Sequence, residues 1–374
     1  MNKVELEILN IVKHYLEKDY SFDVYCDMEE LLKTSNQLCL SPIVGYALTK
    51  NTKYKKNIFE ELLYLSIIKQ AKQNDLRQKV INIFNKNNIN FIFLKGTSLS
   101  KYYDEDFLRL SSDVDVIVEK DNYEKAKNLL LTKKFKIVSS SKNETDLMYK
   151  NGAHLDLHSM FTHNETEIEE LFKDVDFDDE NNELSDEYKY IFSIYHAAKH
   201  LKKSYISFQF LIDLYYLSKL NIDKVFIDNK LKSMNLKTFE EKTIELINVL
   251  FNGKKSNKIV DEYLEFLLNV SKSQGLDNMA LVGQGHSGGR LNHILSRAFP
   301  PFDEMCRMYP ELKNNRILLP IYYVRRFIDR LHEGKYKRML NEVNANLNVD
   351  KQKVQKTKEL FDKLGLWKEQ YQLY

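Results

Sequence analysis

The spacing of apolar residues divides the chain into two helical regions with a shorter stretch of strands between them. Apolar positions recur at helical spacing over 1–88, for example in FEELLYLSIIKQAKQNDLRQKVINIFNKNN, and again over 188–374. Only 5 prolines and 11 glycines occur in 374 residues, so few residues break the helices. From Ile89 the pattern changes to short runs of β-branched and aromatic residues. The predicted strands cover 89–95, 114–119, 135–140 and 153–161, with one helix over 122–134 between the second and third.

This order of elements predicts an α+β fold in which a small sheet-containing core lies between mainly helical regions. The core is followed by the acidic stretch KDVDFDDENNELSDE, which is predicted to be a solvated linker. The predicted boundaries are a helical N-terminal region over 1–88, an α/β core over 89–165, the acidic linker over 166–187 and a helical C-terminal domain over 188–374.

Charge and composition narrow the classes of partner. Basic and acidic residues nearly balance, 56 against 54, so the net charge of +2 gives no general attraction to nucleic acid or to an anionic membrane. No run approaches the ~18 consecutive apolar residues of a membrane span. The three cysteines are far apart and form no CxxC, which suits a reducing compartment. We therefore expect a soluble cytoplasmic protein.

Two aspartates mark the start of the second predicted strand, SDVDVIV. Because side chains alternate across a strand, Asp113 and Asp115 share one face while Val114 and Val116 share the other. Two like charges on one face repel each other unless a cation lies between them, and Mg²⁺ or Mn²⁺ is the expected ion. The alternative is a pair of solvated aspartates at the mouth of a strand.

The neighbouring segments favour the metal-binding interpretation. Gly96 ends the first strand and is followed by Thr97 and Ser98, a turn whose amides and hydroxyls can bind phosphate oxygens. A third carboxylate, Asp156, lies on a later strand. In two-metal phosphoryl transfer, the aspartate pair would bridge both ions and hold the triphosphate, and Asp156 would complete the site of the ion that activates the acceptor. Supporting positive charge is predicted to come from Lys95 and Arg109.

These motifs resemble the nucleotidyltransferase core of the DNA polymerase beta-like superfamily and, more closely, a bacterial family of uncharacterised nucleotidyltransferases. The closer family has Leu-Lys-Gly, a tyrosine, an arginine before Asp-x-Asp, an acidic residue before Leu-His, a helix with two histidines followed by an aspartate, and a carboxy-terminal block. The matching residues here are Leu94-Lys95-Gly96, Tyr102 or Tyr103, Arg109, Asp113-Val114-Asp115, Asp156-Leu157-His158, His196, His200, Asp213 and the block AFPPFDEMCRMYPELKNNRILLPIYYVRRF.

The resemblance implies a small mixed-sheet nucleotidyltransferase core, an NTP such as ATP as substrate, and two Mg²⁺ or Mn²⁺ ions. It also implies a role in polysaccharide biosynthesis or in the assembly of modified peptides. The chain departs from the superfamily pattern after the glycine, where threonine precedes serine and the gap to Asp113 is long. Either Thr97 or Ser98 could therefore contact phosphate.

The histidines leave two alternatives open. His154, Asp156 and His158 alternate on one strand and so share a face. The two histidines are predicted to act near the acceptor or to support the metal ligands, although the same trio could hold zinc in a hydrolase. His196 and His200, with Lys199 beside them, are predicted either to form a polar acceptor pocket or to lie on a solvated helix face. A glycine-rich segment over 283–289 is interpreted as a mobile loop that could serve as a lid.

The leading functional prediction is metal-dependent transfer of an NMP from an NTP to a hydroxyl or phosphate of a small molecule, saccharide or peptide. A DxD glycosyltransferase using a nucleotide-sugar and a catalytically inactive nucleotide-binding module are the alternatives. A nucleic-acid acceptor is not expected, because it would require a basic track. The sequence leaves the identity of the NTP and of the acceptor open.

Overall fold

The computed structural model describes residues 1–54, 57–162, 166–177, 181–203, 206–272, 275–332 and 336–367. The described residues fall into two compact units. The first comprises Met1–Tyr195 and Ser207–Lys255, and the second comprises the described parts of His196–Ile206 and Ser256–Tyr374.

Four helices precede the sheet, as the spacing of apolar residues predicts. The first begins with a capping box, in which Asn2 and Glu5 each accept a hydrogen bond from the other's backbone N–H. The first three pack on one another and the fourth extends to the sheet. The helices are α1 (Lys3–Glu17), α2 (Met28–Gln37), α3 (Ser41–Lys50) and α4 (Glu60–Lys86).

The described strands form one mixed sheet in the first unit, with the order β1-β2-β5-β4-β3. β2 and β5 run parallel at its centre, and the other neighbouring strands are antiparallel. The strands are β1 (Phe91–Phe93), β2 (Asp113–Val118), β3 (Lys136–Ser140), β4 (Glu144–Met148) and β5 (His154–His158). Two helices lie between strands along the chain, α5 (Thr97–Ser100) and α6 (Tyr123–Thr132).

The two faces of the central strands differ in chemistry. Val114 and Val116 of β2 and Leu155 and Leu157 of β5 are fully buried in a core that includes apolar residues of α4 and α6. Alternation then places the aspartates of both strands on the opposite face. Burial of this apolar face fixes the register of β2 and β5, since a shift by one residue would bring carboxylates into the core.

Strand β4 was not predicted from the sequence, so the prediction of the core was incomplete. β4 and β5 form an antiparallel hairpin whose turn contains Asn151 and Gly152, and Gly152 has a φ of +82°. The alternation in ETDLM followed by Asn-Gly is a hairpin signal that could have revealed this strand.

Helices form most of the remaining described chain. The helices of the first unit after the sheet are α7 (Thr166–Glu169), α8 (Asp186–Lys202, whose last residues belong to the second unit), α9 (Phe210–Leu217), α10 (Lys224–Ser233) and α11 (Lys237–Phe251). Those of the second unit are α12 (Lys258–Lys272), α13 (Leu276–His286), α14 (Arg290–Ala298), α15 (Phe302–Met308), α16 (Leu319–His332), α17 (Tyr336–Asn348) and α18 (Lys351–Lys363). Short 3₁₀ helices cover Asp106–Leu108, Lys120–Asn122, Glu170–Phe172, Pro310–Asn314 and Arg316–Leu318.

The interpretation of 283–289 as a loop is wrong for its first half. Gly283 and Gly285 lie in the last turn of α13, and only 287–289 connect this helix to α14. A Cβ on Gly283 would lie 2.2 Å from the His293 ring. The glycine therefore serves close packing of a side chain from α14 on α13.

Within the part of the chain that the structure describes, no helix is both long and apolar enough to cross a membrane.

Part of the predicted acidic linker is buried. Residues 178–180 of this linker, and residues 163–165 at the end of the predicted core, lie outside the described residues. Asn182 accepts a backbone hydrogen bond from Phe93, and the carboxylate of Glu183 contacts three cations. The distances to Arg77, Lys101 and Lys189 are 2.7, 2.6 and 3.0 Å. The expectation of a fully solvated linker is therefore wrong at Glu183, because these cations compensate the buried charge.

Glu183→Gln is expected to lower the free energy of unfolding of the first unit by about 3 kcal/mol at neutral pH. Burial alone would raise the pKa of Glu183, but the three cations outweigh it and lower the pKa to about 2. Because the folded-state pKa lies below the unfolded value, this stabilisation is complete above about pH 4.5 and is lost as the pH falls towards 2.

Urea titrations of wild type and variant at several pH values measure this difference, which should shrink below about pH 4.5. Glu170→Gln is the control, because Glu170 pairs with Lys173 at the surface and both side chains are largely exposed. A difference that is the same at pH 7 and at pH 3 would contradict the assignment.

Candidate active site

The parallel pairing of β2 and β5 brings the predicted carboxylates together. Asp115 lies directly opposite Asp156 in the register, and Asp113 lies opposite His154. On the other side of β5, Asp146 of β4 is also opposite Asp156. Three carboxylates from three strands therefore occupy one row across the sheet, with Asp113 two residues away on the same face.

Asp115 is the most enclosed of these groups, with only 2% of its surface exposed. Its Oδ1 lies 3.4 Å from Lys95 Nζ and 3.3 Å from His158 Nε2. Its Oδ2 is buried and has no hydrogen-bond partner among the described residues. A buried carboxylate oxygen without a donor is unfavourable, so this atom is expected to face a ligand.

The electrostatics of the three aspartates differ. Burial would raise the pKa of Asp115, but Lys95 and His158 outweigh it and hold the pKa well below its usual value. Burial, and then the charge of Asp115, raises the pKa of Asp113. Burial, followed by the charges of Asp113 and Asp115, raises the pKa of Asp156 to about 7. The cluster therefore has an excess of negative charge that a bound cation would relieve.

The side chains present fit a divalent cation. One ligand atom each from Asp115, Asp156 and His158 can be chosen so that all three lie within 4.8 Å of one another. Two carboxylates suit Mg²⁺ or Mn²⁺, and an imidazole nitrogen is a better ligand for Mn²⁺ than for Mg²⁺. The unpartnered Oδ2 of Asp115 supports the same conclusion.

The turn at Gly96 precedes the short helix α5 and lies beside the start of β2. Gly96 has a φ of +71°, and a Cβ there would lie 3.0 Å from Ser111 Oγ and 3.4 Å from the Asp113 carbonyl. The Ser98 hydroxyl donates to the Phe93 carbonyl at 3.2 Å. By contrast, the Thr97 hydroxyl is buried and has no partner among the described residues.

Arg109 is buried and contacts the backbone of this turn. Its Nε and Nη2 donate to the two carboxylate oxygens of Asp213 on α9, both at 2.8 Å, and Nη1 donates to the Gly96 carbonyl at 3.1 Å. Tyr103 also donates to Asp213, at 2.7 Å. The predicted contact of Arg109 with a triphosphate stays a prediction, whereas the structure assigns the guanidinium to Asp213 and the glycine turn.

Gly96→Val is expected to abolish NTP binding while the chain still folds. Valine at a φ of +71° is strained by about 1–2 kcal/mol, and its side chain would crowd Ser111 and the first residue of β2. Calorimetric titration with NTP measures the loss.

Gly152→Val is the matched control, because Gly152 has a similar φ of +82° but nothing within 4 Å of the added Cβ. It should carry a similar backbone strain and still bind NTP. Normal NTP binding by Gly96→Val would place the phosphate site elsewhere.

The predicted acceptor-side histidines have different neighbours in the structure. His154 Nδ1 lies 2.9 Å from Asp146 Oδ1, whereas His158 joins the carboxylate cluster. His196, Lys199 and His200 are on the last turns of α8, within the second unit, where the two histidine rings lie 4.1 Å apart. Asp146 and Asp213 were not predicted from the sequence to belong to the site.

Comparison with known families agrees with this geometry. A family model described as uncharacterised nucleotidyltransferase matches residues 26–252, which is more than half of the chain and includes the whole sheet, Arg109 and Asp213. The match ends before residues 298–327, the carboxy-terminal block that was one of the motifs resembling the family. No curated protein sequence matches the chain significantly. The chain belongs to the family of uncharacterised nucleotidyltransferases.

Proposed function

We propose that this protein is a metal-dependent nucleotidyltransferase that moves an NMP from an NTP to a hydroxyl or phosphate of an acceptor, with pyrophosphate leaving. The observation that carries the proposal is the buried Oδ2 of Asp115, which has no partner among the described residues and lies in a cluster of carboxylates. Without a cation this arrangement destabilises the fold, because a buried carboxylate oxygen lacks a partner; a bound cation would supply one.

Asp113, Asp115 and Asp156 would hold two Mg²⁺ or Mn²⁺ ions, with His158 as a further ligand or as a support of Asp115. When bound, these ions would neutralise the charge of the triphosphate and favour attack of the acceptor oxygen on the α-phosphorus. The protein supplies a rigid base for the carboxylates, since β2 and β5 are anchored by their fully buried valines and leucines. Lys95 lies beside Asp115 and adds positive charge at the same place.

The turn at Gly96 would receive the triphosphate. The sequence allowed either Thr97 or Ser98 to contact phosphate. Thr97 is the better candidate, because its Oγ1 has no partner among the described residues whereas the Ser98 hydroxyl donates to the Phe93 carbonyl. Arg109 would act as a positioning residue, because it donates to the Gly96 carbonyl while its guanidinium is fixed by Asp213. The family membership supports an NTP as the nucleotide.

The test is incubation of the purified protein with each radiolabelled NTP, Mg²⁺ or Mn²⁺ and a cell extract, followed by mass spectrometry of labelled products. We expect a product that carries an NMP, formed only with the divalent cation and absent with Asp115→Asn. NTP binding without any product would support an inactive binding module, and transfer of sugar from a nucleotide-sugar would support the glycosyltransferase. Either result would overturn the proposal.

We further propose that the acceptor is a small molecule, saccharide or peptide. The near balance of basic and acidic residues gives no general attraction to phosphate backbones. We expect only weak binding of tRNA and duplex DNA at about physiological salt, and no incorporation of nucleotide into either. Fluorescence anisotropy at two salt concentrations measures the affinity. Micromolar, salt-sensitive binding together with incorporation would show a nucleic-acid acceptor instead.

A further inference from the structure

The second unit contains a large cavity that the proposed nucleotidyl transfer does not use. Its volume is about 960 Å³, and all of its lining residues belong to that unit. Cavities of this size hold whole small molecules. Apart from Lys202 and Lys203, the lining lies beyond residue 252, where the match to the family model ends.

Arg326 of α16 is a buried cation in the lining of this cavity. Its Nη1 and Nη2 donate to the carbonyls of Ala298 and Arg297, each at 3.1 Å. These bonds cap the C-terminal end of α14. Its Nε is buried without a hydrogen-bond partner, and only 5% of the residue is exposed. Among the described residues no carboxylate lies within ion-pair distance of Arg326. Glu304, which also lines the cavity, acts on Arg326 only from beyond ion-pair distance. A buried guanidinium without a direct ion pair is unfavourable, so the cavity favours an anion beside Arg326.

Trp367 supplies a second unfilled donor in the same cavity. Its Nε1 is buried without a partner among the described residues, and its ring lies 4.7 Å from the His286 ring. Five basic side chains line the cavity against three carboxylates, and one of those carboxylates, Glu342, is paired with Arg297 at 3.3 Å. Burial, and to a smaller extent the charge of Arg297, lowers the pKa of His293 to about 4, so this ring adds no charge at neutral pH. Two donors without acceptors and an excess of cations call for a ligand rich in anionic oxygen.

We propose that this cavity binds a small organic oxyanion, a phosphate or carboxylate attached to a planar or apolar body. Arg326 Nε donates to the anionic oxygen. The body of the ligand lies along the apolar part of the lining, beside Met279 and Leu366. The indole N–H of Trp367, whose ring already contacts those of His286 and Phe361, donates to a further oxygen of the ligand. The site is independent of the nucleotidyl-transfer cluster, so failure of one proposal leaves the other intact.

Trp367 is the only tryptophan of the chain and reports directly on this cavity. The experiment titrates the full-length protein with phenyl phosphate, benzoate, inorganic phosphate and phenol, while tryptophan emission is recorded under tryptophan-selective excitation. We expect a saturable change with phenyl phosphate or benzoate, at a concentration at least about tenfold lower than any change with phenol. The preferred probe identifies the anionic group, and the comparison with inorganic phosphate measures the contribution of the ring.

Arg326→Gln is expected to weaken binding of the preferred probe about tenfold or more. The matched control is Arg325→Gln, which removes the neighbouring arginine, a residue that pairs with Glu311 at the surface and does not line the cavity. If Arg326→Gln fails to fold, Trp367→Phe followed by calorimetry decides, because it keeps an aromatic side chain and removes the N–H donor with the smaller ring of the indole. Equal affinity for phenol and for the anions, or wild-type affinity in the folded variant, would overturn the proposal.

Discussion

Asp115→Asn is expected to reduce nucleotidyl transfer about a thousandfold or more and to abolish metal-dependent NTP binding. The substitution keeps the shape of the side chain and removes the charge that the buried Oδ2 would present to a cation. Loss of the several kcal/mol that a bound divalent ion contributes to the transition state corresponds to this change in rate. Asp113→Asn should behave in the same way, since Asp113 shares the face of β2.

Steady-state kinetics and calorimetry with NTP and Mg²⁺ or Mn²⁺ measure the two losses. Circular dichroism verifies that the variant is folded. The pKa of Asp156 should also fall from about 7, since the charge of Asp115 contributes to raising it. Wild-type turnover in a folded Asp115→Asn protein would contradict the transferase proposal.

Asp156→Asn is expected to have a different effect. If Asp156 serves chiefly the ion that activates the acceptor, kcat should fall by about two to three orders of magnitude while NTP affinity changes only a few-fold. A group that is required mainly in the transition state affects turnover more than ground-state binding. The position of Asp156 on β5, across the strand pair from Asp115, is compatible with this division of roles.

Asp146→Asn provides a matched control for Asp156→Asn. Asp146 lies directly opposite Asp156 on β4, and the substitution makes the same change in charge, but Asp146 contacts His154 and is not one of the three potential metal ligands. We expect turnover to fall less than about tenfold. Lost NTP binding in folded Asp156→Asn would contradict the division of roles, and equal losses in both variants would indicate a general charge effect on the sheet face.

Much of the sheet and its chemistry could be predicted from alternation along single segments. The strands carrying Val114 and Leu155 have long apolar or alternating patterns, so their existence and the shared face of Asp113 and Asp115 followed directly. β4 was missed because its apolar residues are few and it forms a strand mainly through its pairing with β5. The last turn of α13 was misread because glycine usually ends helices, whereas Gly283 is retained for contact with His293.

The partners of individual charges could not be predicted, because they come from residues far apart in the chain. Arg109 is a reasonable phosphate ligand from its place before the aspartates, yet it is held by Asp213, 104 residues away. Glu183 lies in an acidic stretch that reads as solvated, but Arg77, Lys101 and Lys189 meet it from three separate segments. Such pairings depend on how the elements pack and leave no local pattern in the sequence.

The sequence by itself determined the types of element, the clustering of acidic residues on one strand face and the resemblance that led to the family, because these depend on local periodicity and short motifs. The tertiary structure alone decided that Asp115 faces Asp156 and His158, that Thr97 and not Ser98 has an unpartnered hydroxyl, and that Arg326 is buried without a direct ion pair among the described residues. The physical reason is that strand register, burial and desolvation are set by contacts between distant segments, and these contacts decide which polar groups are satisfied by the protein and which remain for a ligand.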